Sequence, residues 1–390
     1  MTLALELIAG RDRRVEPIWR SLEASAPVYF LSWGWIATWL AMLPDDQVPE
    51  LAVVRDGDRP ITACFLARHR TMQHHVVPSR ARFLNSTGVV RYDELCLEHN
   101  AVLGVAALGT LLELLPHDWD ELVLPGLDPE TLATVPPSWR VCIDRDVVAP
   151  FVDLERVRRA PGGYVSLLGS STRSQLRRAR RDAGELAVEY ASSLEQAIAI
   201  YDELVALHTA SWHERGEPGA FADPWFDGFH RRLLADRFHT GEIELVRVRA
   251  GERTIGCLYN FVWRGRVVFY QSGLAPAVDP HDKPGYICHA AAIEAAAAAG
   301  HASYDFLGGG SRYKRNLATD QAKLAWVRIQ RPLVRFAVED KLRAIRRAMA
   351  PRTGDRSADE LRGLTAGPVV ASGHEVLRND GRHGNRVRMR

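Results

Sequence analysis

Within the stretch Tyr304–Lys314 (YDFLGGGSRYK), a short apolar strand runs into three glycines, and a phenol and an ammonium follow at Tyr313 and Lys314. Glycines placed directly after a strand let a ligand approach the backbone closely, at an entropic cost that packing alone does not require. Tyr313 can hand a proton to a leaving thiolate, and Lys314 can neutralise a phosphate or a carboxylate. A second group lies upstream. The strand Arg266–Ser272 (RVVFYQS) carries Tyr270 and Gln271, and the loop after it ends at Lys283-Pro284-Gly285, opening a helix expected over Tyr286–Ala299. Pro and Gly at a helix start leave backbone N–H groups unpaired at the positive end of the helix dipole, a ready site for an anion such as a pyrophosphate.

A third group closes the helix expected over Leu194–His213. His208, His213 and Glu214 all have the chemistry of a general base, acting directly or through water, and the residues leave the choice open. Trp212 and Arg215 beside them are candidates to line an acceptor pocket, although Trp212 equally suits a core anchor. Ser170, Ser171 and Thr172 offer cap side chains to a helix on which Arg173, Arg177, Arg180 and Arg181 recur at helical spacing. Such a row reads as a solvated basic face, with Arg173 either packed inward or gripping an anionic substrate.

These groups need a sheet to hold them. Leu51–Cys64 (LAVVRDGDRPITAC) and Leu245–Leu258 (LVRVRAGERTIGCL) align without gaps, so that Leu51, Val54, Arg55, Gly57, Arg59 and Ile61 recur as Leu245, Val248, Arg249, Gly251, Arg253 and Ile255. Each is a pair of apolar runs around a Gly-containing turn, the pattern of a β-hairpin. A helical segment precedes each hairpin, Phe30–Leu43 in one case and Leu194–His213 in the other. A helix and a short strand follow each: Val105–Leu115 then Glu121–Leu124, and Tyr286–Ala299 then Tyr304–Leu307. The doubled order helix, hairpin, helix, strand predicts an α/β fold, a mixed sheet with flanking helices, in two tandem domains. The expected domains are residues 1–155 and 156–335, parted near Val152–Pro161 where a strand gives way to Ala160-Pro161-Gly162-Gly163. A terminal helix over 336–350 and an aperiodic, disordered tail over 351–390 complete the chain.

Composition narrows the classes. The 390 residues are 46% hydrophobic and 25% charged, which suits a globular chain with room for more than one core. The net charge of +2 rests almost wholly on arginine, the lysines being Lys283, Lys314, Lys323 and Lys341, so no DNA partner is expected. The five cysteines are scattered and never spaced as C-x-x-C, which argues against a disulfide framework and against a metal site. Met1–Gly10 is followed at once by Arg11, Asp12, Arg13 and Arg14, and the most apolar run, Ala290–Ala299, is broken by Glu294. A cytoplasmic protein without membrane insertion is therefore expected. G-x-S-x-G, G-x-x-x-x-G-K-[ST] and H-E-x-x-H are all absent from the sequence, which removes the hydrolase, NTPase and metalloprotease readings that rest on them.

From about Gly169 to Gln330 the chain resembles the acetyltransferase (GNAT) superfamily, in particular its cellulose-biosynthesis CelD-like group, relatives of the FemAB-type peptidoglycan aminoacyltransferases. Ser171-Thr172-Arg173 with the Arg-rich helix, Leu207–Gly216 (LHTASWHERG) with Phe221, the second hairpin, Tyr270, Pro284-Gly285, and Asp305-Phe306-Leu307-Gly308 with Tyr313-Lys314 carry the resemblance. The N-terminal half matches in outline only, through Phe30, Trp35, Trp39 and the first hairpin. The resemblance implies a pair of GNAT-like domains, with acetyl-CoA or another acyl-CoA as co-substrate in a splayed sheet. The acyl group would pass, by direct attack, to an amine of a small molecule or of a cell-envelope or polysaccharide precursor. On that reading Tyr313, Glu214 and His213 are the catalytic candidates. Tyr270, Gln271, Lys283, Pro284 and Gly285 hold the donor, and Arg173, Trp212, Arg215, Asp305 and Lys314 hold the substrate. Backbone N–H groups of Arg266–Ser272 polarise the carbonyl. The superfamily's phosphate loop, Gln/Arg-x-x-Gly-x-Gly/Ala, is replaced here by Asp282-Lys283-Pro284-Gly285-Tyr286. Two alternatives stand beside acyl-CoA chemistry: aminoacyl transfer from tRNA, as in FemAB-type relatives, and a non-catalytic binding protein with a degenerate donor site.

Overall fold

The computed structural model describes residues 3–73, 77–95, 97–279, 281–336 and 338. Its first half gives β1 (Leu3–Ala9), α1 (Val15–Leu22), α2 (Trp33–Met42), β2 (Glu50–Asp56), β3 (Arg59–Gln73), β4 (Val77–Leu84), α3 (Val90–Asp93), β5 (Leu103–Gly104), α4 (Leu108–Leu114), β6 (Glu121–Leu127) and β7 (Arg140–Asp153). Next come α5 (Leu154–Arg159), α6 (Gly163–Leu167), α7 (Ser170–Ala183), β8 (Leu186–Tyr190), α8 (Leu194–His213), α9 (Pro224–Arg237), β9 (Ile243–Ala250) and β10 (Arg253–Trp263). β11 (Arg266–Leu274), α10 (Pro284–Ala298), β12 (Ser303–Asp305), α11 (Arg312–Leu317) and β13 (Asp320–Gln330) complete it. The terminal helix expected to Ala350 and the tail from Pro351 lie, but for Phe336 and Val338, outside the described residues, as does Cys96.

Both repeated segments are hairpins, β2–β3 and β9–β10. Their turns place Gly57 at φ 58° and Gly251 at φ 56°, a left-handed backbone that favours glycine. The strands join one mixed sheet in the order β1-β2-β3-β4-β6-β13-β7-β12-β11-β10-β9-β8, with β5 on β3. All neighbours are antiparallel except β4 with β6 and β11 with β12. Each parallel pair closes a crossover that carries a helix, as parallel neighbours require. The centre of the sheet is an exchange between the halves: β7, from the first, lies beside β12, and β13, from the second, lies between β6 and β7.

One apolar core is shared by both halves. Trp35 of α2 meets Phe229 of α9 edge-on at 4.8 Å, and Tyr29 stacks on Phe261 of β10 at 4.6 Å. Fully burying aromatic side chains of this size gains roughly 1.5–3 kcal/mol each, so this seam fixes the halves against one another. The opposite face of β9–β12 is covered by α5, α6, α7 and the Ala-rich α10, whose small side chains permit close packing on the sheet. α8 and α9 start on side-chain caps, Ser193 taking the Gln196 N–H and Asp223 the Trp225 N–H. The Arg-rich row on α7 is partly committed to structure, since Arg180 pairs with Glu294 of α10 at 2.8 Å.

Candidate active site

β11 and β12 run side by side only from Arg266–Val268 and Ser303–Asp305. Beyond these pairs β11 continues to Leu274, whereas the chain after β12 turns off through Phe306, Leu307 and Gly308. Leu307 holds a left-handed φ of 61°, and Asp305 Oδ1 accepts its N–H at 2.7 Å. The parting of the strands opens a cleft of about 290 Å³, walled by the end of α8, the start of α10, α11 and the β11 edge.

A bulge shapes the β11 wall. Tyr259 faces Gln271 and Asn260 faces Phe269, so Tyr270 is an extra residue on β11. The extra residue breaks the two-residue alternation of side chains and re-aims those beyond it. Tyr270 packs in the core beneath α8 and α9 with Tyr259, and its hydroxyl lies 3.1 Å from His230 Nε2.

The helix α8 delivers His208 to this wall. Ala197, Tyr201, Leu204 and His208 keep the three- and four-residue spacing of a buried stripe. His208 Nδ1 lies 3.2 Å from the Ser272 carbonyl oxygen, which can only accept, so Nδ1 carries the proton and Nε2 carries the lone pair. Nε2 is buried and has no hydrogen-bond partner among the described residues. Burial lowers the His208 pKa against the Ser272 hydrogen bond, and the nearby Arg215 adds to the lowering.

At the start of α10, Pro284 occupies the first turn, and the first intrahelical N–H bond is that of Ile287 to the Lys283 carbonyl at 3.1 Å. The N–H groups of Gly285 and Tyr286 precede it and lie in the first turn, where no intrahelical acceptor exists for them. Lys283, Pro284, Gly285 and Tyr286 all line the cleft.

The far wall is α11 with the glycine turn. Tyr313 stacks on His289 at 5.7 Å, and burial pushes its phenol above the usual range. His289, whose Nδ1 lies 3.0 Å from the Tyr304 hydroxyl, is pushed down to about 3 by burial, with the charge of Lys314 adding to it. Lys314 is buried and donates from Nζ to the Gly308 carbonyl at 2.8 Å. Glu98, which comes from the loop before β5, accepts the Gly308 N–H from the other side. Burial raises the Glu98 pKa, opposed by Lys314. A Cβ at position 308 would stand 2.7 Å from Glu98 Oε1 and 2.9 Å from Val147 Cγ1, so any larger residue there would displace the Glu98 carboxylate.

Of the residues singled out from the sequence, Tyr270, Gln271, Lys283, Pro284, Gly285, Trp212, Arg215, Tyr313 and Lys314 line the cleft together. His213 and Glu214 are exposed at the end of α8 and are not among its lining residues. Arg173 donates to the Leu168 carbonyl at 2.9 Å and also lies outside the lining. Asp305 is buried behind it, 3.0 Å from His99 Nε2. Burial opposes its ionisation, but His99 and Arg266 outweigh that and hold its pKa low. Sequence reasoning passed over Glu98 and His289. His289 had a signal, being the one imidazole in an Ala-rich helix, whereas Glu98 comes from the other half of the chain and had none. Among the described residues no group of His, Cys, Asp and Glu could hold a metal ion, and no helix is long and apolar enough to cross a membrane.

Residues 170–315 match the model of the acetyltransferase (GNAT) domain, a span that contains every cleft-lining residue except Glu98. No curated protein matches the chain in sequence. In fold the chain is similar to a conserved protein of unknown function from Bacteroides thetaiotaomicron VPI-5482, at 12% identity and a TM-score of 0.51, over 84% of this chain and 100% of that one. It is similar also to FemX, at 9% identity and a TM-score of 0.52, over 79% of this chain and 95% of that one. The stretch that builds the cleft is thus similar to a GNAT acetyltransferase domain, set in a mixed α/β fold that extends over most of the chain.

Proposed function

We propose that the chain is an N-acyltransferase that takes an acyl group from acyl-CoA and delivers it to an amine. One observation carries the reading: His208, whose Nε2 is buried and has no partner among the described residues, lines the same cleft as the N-terminal turn of α10. A lone pair with no partner suits an incoming N–H, and a helix N-terminus suits a pyrophosphate.

In this reading the N–H groups of Gly285 and Tyr286, with Lys283 beside them, receive the donor's pyrophosphate, and the thioester lies along β11. His208, neutral at pH 7 because burial lowers its pKa, takes the proton of the attacking amine at Nε2. The C–N bond forms, the carbonyl pair moves to oxygen, and its return breaks the C–S bond. Tyr313, protonated at neutral pH as any phenol is, gives its proton to the departing thiolate. Positioned acid–base groups of this kind supply about 10²–10⁴-fold each, or roughly 3–5 kcal/mol. His208 replaces His213 and Glu214 as the base in this scheme, because those two lie outside the cleft. The acceptor class, an amine of a small molecule or of a cell-envelope or polysaccharide precursor, follows the CelD-like resemblance, whereas the division into tandem domains over 1–155 and 156–335 rests on the repeated order of helix, hairpin, helix and strand.

Calorimetric titration with acetyl-CoA, followed by free-thiol release with a panel of amines, tests the reading. Saturable binding and amine-dependent thiol release are expected. Neither binding nor thiol would contradict it.

A further inference from the structure

A second orphaned group belongs to a residue that lines the cleft with His208. Gln271 is 3% exposed, lines the cleft, and its Nε2 has no hydrogen-bond partner among the described residues. A buried amide N–H left unpaired forfeits its solvation without return, and buried donors in folded proteins are rarely left so. The bulge explains how it arises. With strict alternation Gln271 would share the face of Phe269, beneath α10. The extra residue Tyr270 instead places Gln271 opposite Tyr259, on the face covered by α8. His208 in turn is bonded to the carbonyl of Ser272, the next residue along. Through Ser272 on one side and Gln271 on the other, neighbouring positions of β11 therefore hold two cleft-lining residues that each keep a buried, unpaired nitrogen.

We propose that Gln271 is a catalytic residue whose Nε2 donates a hydrogen bond to the thioester carbonyl oxygen as that oxygen becomes an oxyanion. The assignment rests on the acyl-CoA reading above. As the amine attacks, the carbonyl π pair moves to oxygen and meets the Gln271 N–H, while His208 takes the amine proton. The pair then returns, the C–S bond breaks and the thiolate leaves. A donor already in place costs no reorganisation during the reaction, and removing one such donor typically slows turnover by about 10²–10³-fold. The amide is neutral, so it adds nothing to the phosphate-binding turn of α10 and acts on the reacting carbonyl alone.

Two unreactive ligands separate this from a packing role: the ketone analogue of acetyl-CoA in which a methylene replaces sulfur, and S-ethyl-CoA, which has no carbonyl. The native protein is expected to bind the ketone tighter than the thioether. Gln271→Met should lose that preference with the thioether affinity unchanged, and kcat should fall about 10²–10³-fold with both KM values held. Its thermal midpoint should stay level or rise, because an unpaired buried donor has been removed, whereas a structural role would lower it. Gln271→Glu, which offers an acceptor in place of the donor, should be at least as slow as Gln271→Met. Unchanged kcat and preference in Gln271→Met would overturn the assignment. A raised KM for the amine with kcat intact would overturn it as well, moving Gln271 to acceptor binding. Binding of both analogues to the native protein without preference sinks Gln271 alone. Binding of neither sinks the acyl-CoA reading and this assignment together.

Discussion

The chain builds the same opening twice and fills one of them. In the first half β4 runs parallel to β6 from Ala81–Phe83 and Glu121–Val123, and then the strands part, as β11 and β12 do in the second half. In the first half the gap is stitched shut. Asn100 bridges to Leu127, donates its N–H to the Gly126 carbonyl at 3.0 Å and its Nδ2 to the Leu84 carbonyl at 3.0 Å. Its Oδ1 accepts from Asn85 Nδ2 at 2.8 Å, and Asn85 Oδ1 accepts the Phe65 N–H at 2.8 Å. About 20 Å³ remains beside this plug, against about 290 Å³ in the second half. Where the amides close the gap, every donor and acceptor named has a protein partner. Where it stays open, His208 Nε2 and Gln271 Nε2 have none among the described residues. The loop that plugs the first opening also walls the second: Glu98 meets Gly308, His99 meets Asp305, and Asn100, next in sequence, closes its own half.

The comparison can be broken from either side. The largest effect is expected on the open side: His208→Gln should lower kcat/KM by about 10²–10⁴-fold while acetyl-CoA affinity stays unchanged in calorimetry. Native kcat/KM should be flat at neutral pH and fall on the acid side, because protonation fills the Nε2 lone pair. Since burial lowers the His208 pKa, that fall should be centred below the ordinary histidine value of 6.5, and it should be missing from His208→Gln. On the filled side, Asn100→Ala leaves the Leu84 carbonyl and the Asn85 amide short of partners. Denaturant unfolding should show a loss of about 1–3 kcal/mol, and acetyl-CoA stoichiometry should remain one per chain. The smallest effects belong to the turns that the halves share. Gly57→Ala and Gly251→Ala meet open space but impose a left-handed backbone, and each should cost about 1–2 kcal/mol or less.

What could be read from the sequence was local. Both hairpins were legible because alternation and a glycine turn are local signals, and α8 spans Leu194–His213 as its cap and stripe require. That stripe also distinguishes His208, in register with Leu204, from His213, which falls on another face. The exchange of β7 and β13 was not legible. Its pairings join residues far apart in sequence, such as Val327 with Ile143, and β13 interrupts its apolar run with the buried Arg328 and Gln330. Those two satisfy Asp144 and Glu121 across the sheet, partners that local pattern cannot supply. Glu98 was hidden for the same reason. The bulge at Tyr270 was hidden because one extra residue leaves no mark in the composition of a strand.

A crystal structure with coenzyme A tests the central claim most directly. The account predicts the ligand between β11 and β12, its pyrophosphate on the N–H groups of Gly285 and Tyr286 and its thiol end beside His208 and Gln271. Coenzyme A bound elsewhere, or a cleft left empty at saturating ligand, would contradict it.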